Sequence, residues 1–537
     1  MSSLMKRVLM PVCMFLVVFG VDAQFKTIAT GPLFKEPEQG YGKILQLKNG
    51  NTLFVHITYK QGIEIQVYNR DHKQRAAKII SPGYGNLKHA LIEGIFEMQG
   101  DVVLFIADGE DRKPVLNRLI IDGNTGVLKD EKKIAELNRV SMGQGYAMLF
   151  GKVPQPDFFI RKDPNSDNYA LVMMNSFESD RNKRLQIVFF GSDHTEIGRA
   201  YYNSPNDKYK YMNYLDMAVL GKDKVSVLAY AFNTRASGGK ESELVLATLD
   251  AGAVNVSLDE FDFTKDMVID GGIARFNPVS KTIVLLAAAK ADKRSNEYVS
   301  FLLTIDPYKR KLISNTIVYP SQANEKNMEL FGKKHRYTGM PQNLFINNDG
   351  SYSIVYQEII NYTQEHNDGT AATYTDLENL AVSNYDASGK ETASCLLPMS
   401  QRVFKSYLHT FYHSKREGTA QLLDEGGQYK SFAYLNGKDK SYILINDIEG
   451  NSESLKKGKL TTIQGVKDCD GIYVEISGNE ILPERKFVFG KPENKHEHDL
   501  GLFAISDYDR EQNLYVTLKL EKEGRGKNVQ LVWLQPQ

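Results

Sequence analysis

Residues 169–174, Tyr-Ala-Leu-Val-Met-Met, the polar loop Glu-Ser-Asp-Arg-Asn-Lys-Arg at 178–184 and residues 185–190, Leu-Gln-Ile-Val-Phe-Phe, decide the fold, with Gly191-Ser192-Asp193 as the stop. Two short apolar runs rich in aromatic and β-branched side chains, joined by a charged loop and ended by a turn, read as a β-hairpin. The same unit recurs along the chain. Before it stand 53–57 and 63–68 between Asn49-Gly50-Asn51 and Asn69-Arg70-Asp71, then 102–107 and 115–121 ending at Asp122-Gly123. After it come 224–232 with 243–250, 282–289 with 298–305, and 351–360 with 377–385, which stop at Asp250, Asp306 and Asp386. A more degraded seventh copy holds 441–447, 460–465 and 472–477.

Each hairpin is flanked by shorter apolar stretches, such as Ile-Phe-Glu-Met at 95–98, so the repeating unit has four strands. A four-stranded sheet that is apolar on both faces cannot bury itself, whereas a ring of such sheets leaves only short protected edges. The sequence therefore predicts an all-β fold, a β-propeller of seven, or eight, four-stranded blades; two stacked sandwiches are the rival. Helical periodicity is nearly absent, with 131–139 the best local candidate and as easily a strand. The repeats span 24–481, and 482–537 supply strands that close the propeller or form a small β extension.

The chain has 537 residues, with 66 basic against 66 acidic side chains and 3 cysteines. This balance gives no basic field to attract a nucleic-acid backbone, so nucleic acid is not expected as a partner. Residues 1–23 read as a signal peptide: Lys6 and Arg7 precede an apolar run from 8 to 20, and Val21-Asp22-Ala23 supply the cleavage pattern. That run reaches about 20 Å as a helix, short of the roughly 30 Å hydrocarbon core. Export to the periplasm or cell exterior follows, without membrane insertion of the mature chain. Cys395 and Cys469 then reside where a disulfide can persist, although two separate buried thiols is the favoured reading.

Three repeat ends, 120–129 (IIDGNTGVLK), 248–254 (TLDAGAV) and 384–393 (NYDASGKETA), resemble the turns of quinoprotein-like propellers. The tryptophan that follows such turns in that family is missing, and the sole tryptophan is Trp533, so no quinone or other cofactor is expected. More broadly, 348–358 (NDGSYSIVYQE), 380–390 (LAVSNYDASGK) and 442–447 (YILIND) look like an uncharacterised group of exported, propeller-like proteins of the Bacteroidota. That resemblance implies fold and export and carries no catalytic residue.

Obligatory motifs exclude several chemistries. There is no G-x-S-x-G elbow, P-loop, H-E-x-x-H or sialidase-type Asp box. Asp163-Pro164-Asn165-Ser166-Asp167-Asn168 begins like a calcium loop but lacks its glycine and its terminal glutamate, so a turn is the simpler account. His496-Glu497-His498 finds no third ligand nearby, and no metal is expected.

Function is therefore sought on long connections. Residues 201–214 carry Tyr209 and Tyr211, whose rings suit a sugar face or a protein partner, or a core position in an adjoining strand. Residues 319–340 are polar and basic. Residues 398–428 hold Tyr407, His409, Tyr412 and His413; on a helix, His409 and His413 would share one face and could hold a phosphate or a metal, or the patch could dock the loop on the propeller. The leading expectation is a non-catalytic binding or scaffolding propeller of the cell envelope whose partner is a protein or a glycan. The alternative is a glycosidase or lyase with paired carboxylates in the central channel.

Overall fold

The computed structural model describes residues 25–537 except 84–86, 88, 111–112, 140, 152, 204–207, 234–241, 262–266, 291–296, 366–368, 406, 425–426, 477–481, 493–496 and 524–525. The leader at 1–23, Cys13 and His496 lie outside the described residues. The strands form eight antiparallel sheets. Blade 1 comprises Gln39–Gln46, Thr52–Thr58, Gly62–Tyr68 and Gln74–Ile80; blade 2, Leu91–Met98, Asp101–Glu110, Lys113–Ile121 and Leu128–Glu136; blade 3, Asp157–Lys162, Tyr169–Met174, Leu185–Phe190 and Glu196–Tyr201. Blade 4 comprises Tyr211–Leu220, Lys224–Phe232, Ser242–Asp250 and Ser257–Phe261; blade 5, Val268–Asn277, Thr282–Lys290, Val299–Asp306 and Lys311–Val318; blade 6, Met340–Ile346, Tyr352–Glu365, Ala371–Tyr385 and Glu391–Leu397. Blade 7 comprises Ala433–Asn436, Ser441–Asp447, Asp470–Glu475 and Lys486–Phe487. Blade 8 joins Leu500–Asp509, Leu514–Glu523 and Gly526–Gln535 to the N-terminal strand Lys26–Thr30.

Packing shows that these sheets close a ring. Eight apolar clusters each join two consecutive blades: 1 with 2, 2 with 3, and so on to 8 with 1. The strand Tyr169–Met174 shows how. Ala170, Val172 and Met174 pack toward blade 4, while Tyr169, Leu171 and Met173 pack toward blade 2. Successive side chains of a strand point to opposite faces, and both faces here are covered, which is why the hairpins read as continuous apolar runs rather than alternating ones.

The turn ending each hairpin recurs for a physical reason. Asp122 Oδ1 accepts from the Asn124 and Thr125 amides, Asp306 Oδ1 from those of Tyr308 and Lys309, and Asp386 Oδ1 from those of Ser388 and Lys390. These are Asx turns, in which a short carboxylate substitutes for a backbone acceptor. Asp163 does likewise, accepting from the Asn165 amide and the Ser166 hydroxyl, and it also takes the Gly221 amide of blade 4. The calcium-like motif is a blade-linking turn.

The structure resolves four readings: a strand within 131–139 and two separate buried thiols are among the expectations, whereas the helix within 319–340 and the loss of 460–465 as a blade strand are corrections. Residues 131–139 contribute to the strand Leu128–Glu136, whose exposed face is charged. The connection 319–340 contains the helix Ser321–Phe331, which buries Ala323 and Asn327, four residues apart on one face. The segment 460–465 supplies no blade strand; only Ile463 pairs, with Gln401. No disulfide joins Cys395 and Cys469, which are both buried.

Candidate functional site: the central channel and its plug

The inner strands of consecutive blades line a central channel and start from one rim. Four of them carry a one-residue bulge, leaving Glu93, Leu215, Asp270 and Gln342 between the paired positions of blades 2, 4, 5 and 6, and the inner strand of blade 8 has a longer irregularity between Gly501 and Ser506. A bulge bends the strand and re-aims its side chain, and such features gather at barrel rims and sites.

The connection 398–428 enters this channel. It first adds the strand Gln401–Phe404 to blade 6, then passes the rim, where the Phe411 amide donates to the Pro341 carbonyl at 3.0 Å. Gly271 lets the plug approach closely, because a Cβ would stand 3.2 Å from the Phe411 ring and 3.3 Å from Thr410 Oγ1. The short helix Tyr412–Gly418 follows and contacts the inner strands of blades 2 and 6. The strand Gln421–Asp424 then climbs back along the inner strand of blade 1, antiparallel to Gln39–Gly42. The segment is a plug.

Polar groups meet the plug in two tiers. At the rim, Asp270 accepts from the Tyr298 hydroxyl at 2.9 Å and lies 3.5 Å from Thr410 Oγ1. Tyr407 and His409 sit on the plug side, with ring centroids 5.0 Å apart, and Tyr407 is 59% exposed. Desolvation by the surrounding rim lowers the proton affinity of His409; Asp270 opposes this, and Lys415 and Lys290 add to it. On the neighbouring blades, burial raises Glu93 to about 8, with Asp157 repelling a second charge. Burial likewise raises Asp157 to about 6, against the Phe158 amide and Lys415, which favour its charge.

Deeper in the channel, Asp216 is almost fully buried and gathers four donors: Arg161 Nη2, the Tyr214 hydroxyl at 3.3 Å, and the amides of Met217 at 2.9 Å and Ala274 at 2.7 Å. Phe159 stacks on Tyr214 with centroids 3.9 Å apart and walls this cluster. Arg275 Nη2 donates to Glu417 Oε2 of the plug at 2.6 Å, and Asn343 Nδ2 donates to Glu417 Oε1 at 2.6 Å. Lys43 Nζ reaches the Glu417 carbonyl at 3.1 Å.

The structure separates the residues singled out from sequence. Tyr407 and His409 form the exposed rim, whereas Tyr412 and His413 face inward. Tyr412 donates to Gln357 Oε1 at 2.5 Å; His413 is buried, stacks on Phe432 at 4.3 Å and lies 3.2 Å from Asn343 Nδ2. The expected helical pairing of His409 with His413 is corrected, because the helix begins at Tyr412 and Phe411 before it holds a left-handed backbone, φ 60°. Tyr209 is buried between blades 3 and 4, beneath the Lys208 ammonium at 4.9 Å. Tyr211 packs between blades 4 and 5, 5.5 Å from Phe232. Among the described residues, no group of three or more His, Cys, Asp or Glu could hold a metal ion. Glu93, Asp157, Asp216, Asp270, Arg275 and Glu417 escaped the sequence reading. Their signal was a polar residue beside glycine or within a short flanking strand, as in Glu93-Gly94 and Asp270-Gly271-Gly272.

No protein-family profile matches the chain, and neither does any curated protein. Solved structures with some likeness include a polysaccharide lyase, at 9% identity, 96% coverage of this chain, 100% of that one and a TM-score of 0.38. An uncharacterised protein of Listeria monocytogenes EGD-e gives 10% identity, 80% and 98% coverage and a TM-score of 0.31. A GH43 beta-1,3-galactosidase gives 9%, 59% and 88%, with a TM-score of 0.24. Likenesses of this size carry no argument about activity; the fold stands on the sheets and the clusters between them. No described helix is long and apolar enough to cross a membrane.

Proposed function

We propose that the protein is an exported, non-catalytic binding propeller that receives carbohydrate at the rim of its plugged channel. The observation that carries this reading is the pairing of Tyr407 and His409, two solvent-facing rings tilted by 49° to each other, with the Asp270–Tyr298 hydrogen bond beside them. A sugar presents an apolar ring face and a set of hydroxyls, which an aromatic plane and carboxylate acceptors complement. The plug supports binding rather than chemistry lower in the channel, since Arg161, Asp216, Arg275 and Glu417 are engaged with one another. Titration of the whole chain against a soluble glycan panel, repeated with Tyr407→Ala and Asp270→Asn, tests it. Each variant should lose most of the affinity; retention of full affinity by both rejects the rim, and an envelope protein then becomes the partner to seek.

A second reading, a glycan-cleaving enzyme, is favoured by Glu93 and Asp157, whose proton affinities are spread apart on adjacent inner strands. Turnover of any polysaccharide, abolished in Glu93→Gln, would establish it in place of the first. Absence of turnover across the panel leaves the binding reading in force.

A further inference from the structure

Glu417 is an odd occupant of the channel. Its carboxylate is held by Arg275 at 2.6 Å from blade 5 and by Asn343 at 2.6 Å from blade 6, yet its side chain remains 37% exposed, so water reaches the seat. It belongs to the last turn of the plug helix Tyr412–Gly418, where the helix dipole disfavours a negative charge. Around it the cations outnumber the fixed anion: Arg161 and Arg275 share Asp216, with Arg275 Nη1 at 3.9 Å from that carboxylate. Burial first and the neighbouring Arg161 after it work against the charge on Arg275, and Glu417 and Asp216 oppose them. A planar guanidinium and an amide N–H₂ on two rigid strands form a receptor for a carboxylate.

We infer that Glu417 fills, from within the chain, the seat of a ligand carboxylate, and that the glycan bound at the rim is an acidic one whose uronate displaces Glu417 from Arg275 and Asn343. This inference rests on the proposed carbohydrate binding and names its substrate class. Only the Glu417 side chain has to swing away; Tyr412, His413 and the strand Gln421–Asp424 keep the plug anchored.

Calorimetric titration of the whole chain with trigalacturonate, and with the same trisaccharide after carboxyl reduction, tests this in wild type, Glu417→Ala and Glu417→Ala/Arg275→Ala. Removing the internal competitor should tighten trigalacturonate binding by about tenfold, which corresponds to ~1.4 kcal/mol, the scale of one charge-assisted contact. The reduced trisaccharide should bind both proteins alike, and the added Arg275→Ala should erase the gain. Sodium acetate should raise the melting temperature of Glu417→Ala above its value in sodium chloride at equal ionic strength. Equal trigalacturonate affinity in wild type and Glu417→Ala, or no selective effect of acetate, overturns the seat. Acetate stabilisation with equal affinity for acidic and reduced trisaccharides overturns the assignment to acidic glycans. Loss of the reduced trisaccharide in Tyr407→Ala reports separately on the rim.

Discussion

The Trp533 indole N–H donates to Thr52 Oγ1 at 3.1 Å, which ties the last strand of blade 8 to the second strand of blade 1. The fully buried ring meets Tyr68 edge-on at 5.2 Å and His72 at 4.9 Å. Because Gly526–Gln535 also pairs with Lys26–Thr30, chain start and chain end are knitted in one sheet beside this contact. Trp533→Ala should cost ~3–5 kcal/mol, the usual loss for a large aromatic side chain removed from a core. Thr52→Val, which orphans the indole N–H, should cost about 1–3 kcal/mol. Urea unfolding followed by circular dichroism checks both. Emission from Trp533, the sole tryptophan, should shift to the red in the same transition if the ring opens at this seam.

Asp216 joins three blades, taking Arg161 of blade 3 and the Ala274 amide of blade 5 onto one carboxylate of blade 4. Its replacement by alanine leaves a partly buried guanidinium and a buried amide without their acceptor. Asp216→Ala should destabilise by ~3–5 kcal/mol, the range for breaking one side of a buried pair. Asp216→Asn should lose less, since its carbonyl oxygen still accepts one of those donors. Denaturant midpoints of the two variants decide between a charge effect and a purely geometric one.

The rim and the inner face of the plug should respond differently. Tyr407→Ala, at an exposed side chain, should change stability by less than about 0.5 kcal/mol. His413→Ala removes a buried ring stacked on Phe432 and leaves a cavity beside Asn343, and it should cost roughly 1–3 kcal/mol. Thermal melts of the two variants compare them directly. A binding defect confined to Tyr407→Ala would then be read as a contact effect.

Repeated hairpins made the blades legible because each strand writes its own turn chemistry into local sequence, as Asp122, Asp306 and Asp386 do. Ring closure was also foreseeable in outline, since strands that are apolar on both faces demand neighbours. The channel chemistry was not. Asp216 and Arg161 lie in different hairpins, and Glu417 meets Arg275 across more than a hundred residues, so no spacing rule connects them. The residues 406–413 stood out through composition alone, but that composition mixes an exposed pair with an inward-facing pair. What divides them is the backbone reversal at Phe411, which no periodicity announces.

Cys395 lies in the outer strand of blade 6, and Cys469 in the cluster between blades 8 and 1. They pack in separate blade interfaces, so the fold itself keeps the two thiols apart. In the chain from residue 24 onward, both should resist a thiol reagent in the native state and react only upon unfolding. Reductant should leave the melting temperature unchanged. Thiol quantification before and after denaturation without reductant checks this; no reactive thiol appearing after denaturation would show a bond between them.

Glu93 and Asp157 give the fold a pH signature of definite sign. The ordinary carboxyl values are 4.5 and 3.8, and the folded protein raises them to about 8 and about 6, with burial as the leading cause in each. Between the two sets of values the folded state holds protons that the unfolded chain has released. Their contribution to stability is therefore complete below pH 4, declines as pH rises through the folded values, and is gone above about pH 8. Glu93→Gln keeps the shape and hydrogen-bond capacity of the protonated acid without a titrating proton. The difference in melting temperature between this variant and wild type cancels the other groups, and it should favour the variant increasingly from pH 5 to pH 9. Asp157 should stay raised in this variant, since burial is its leading cause, with Lys415 and the Phe158 amide opposing it. A difference that is flat across that range would show that burial does not hold the Glu93 carboxyl protonated.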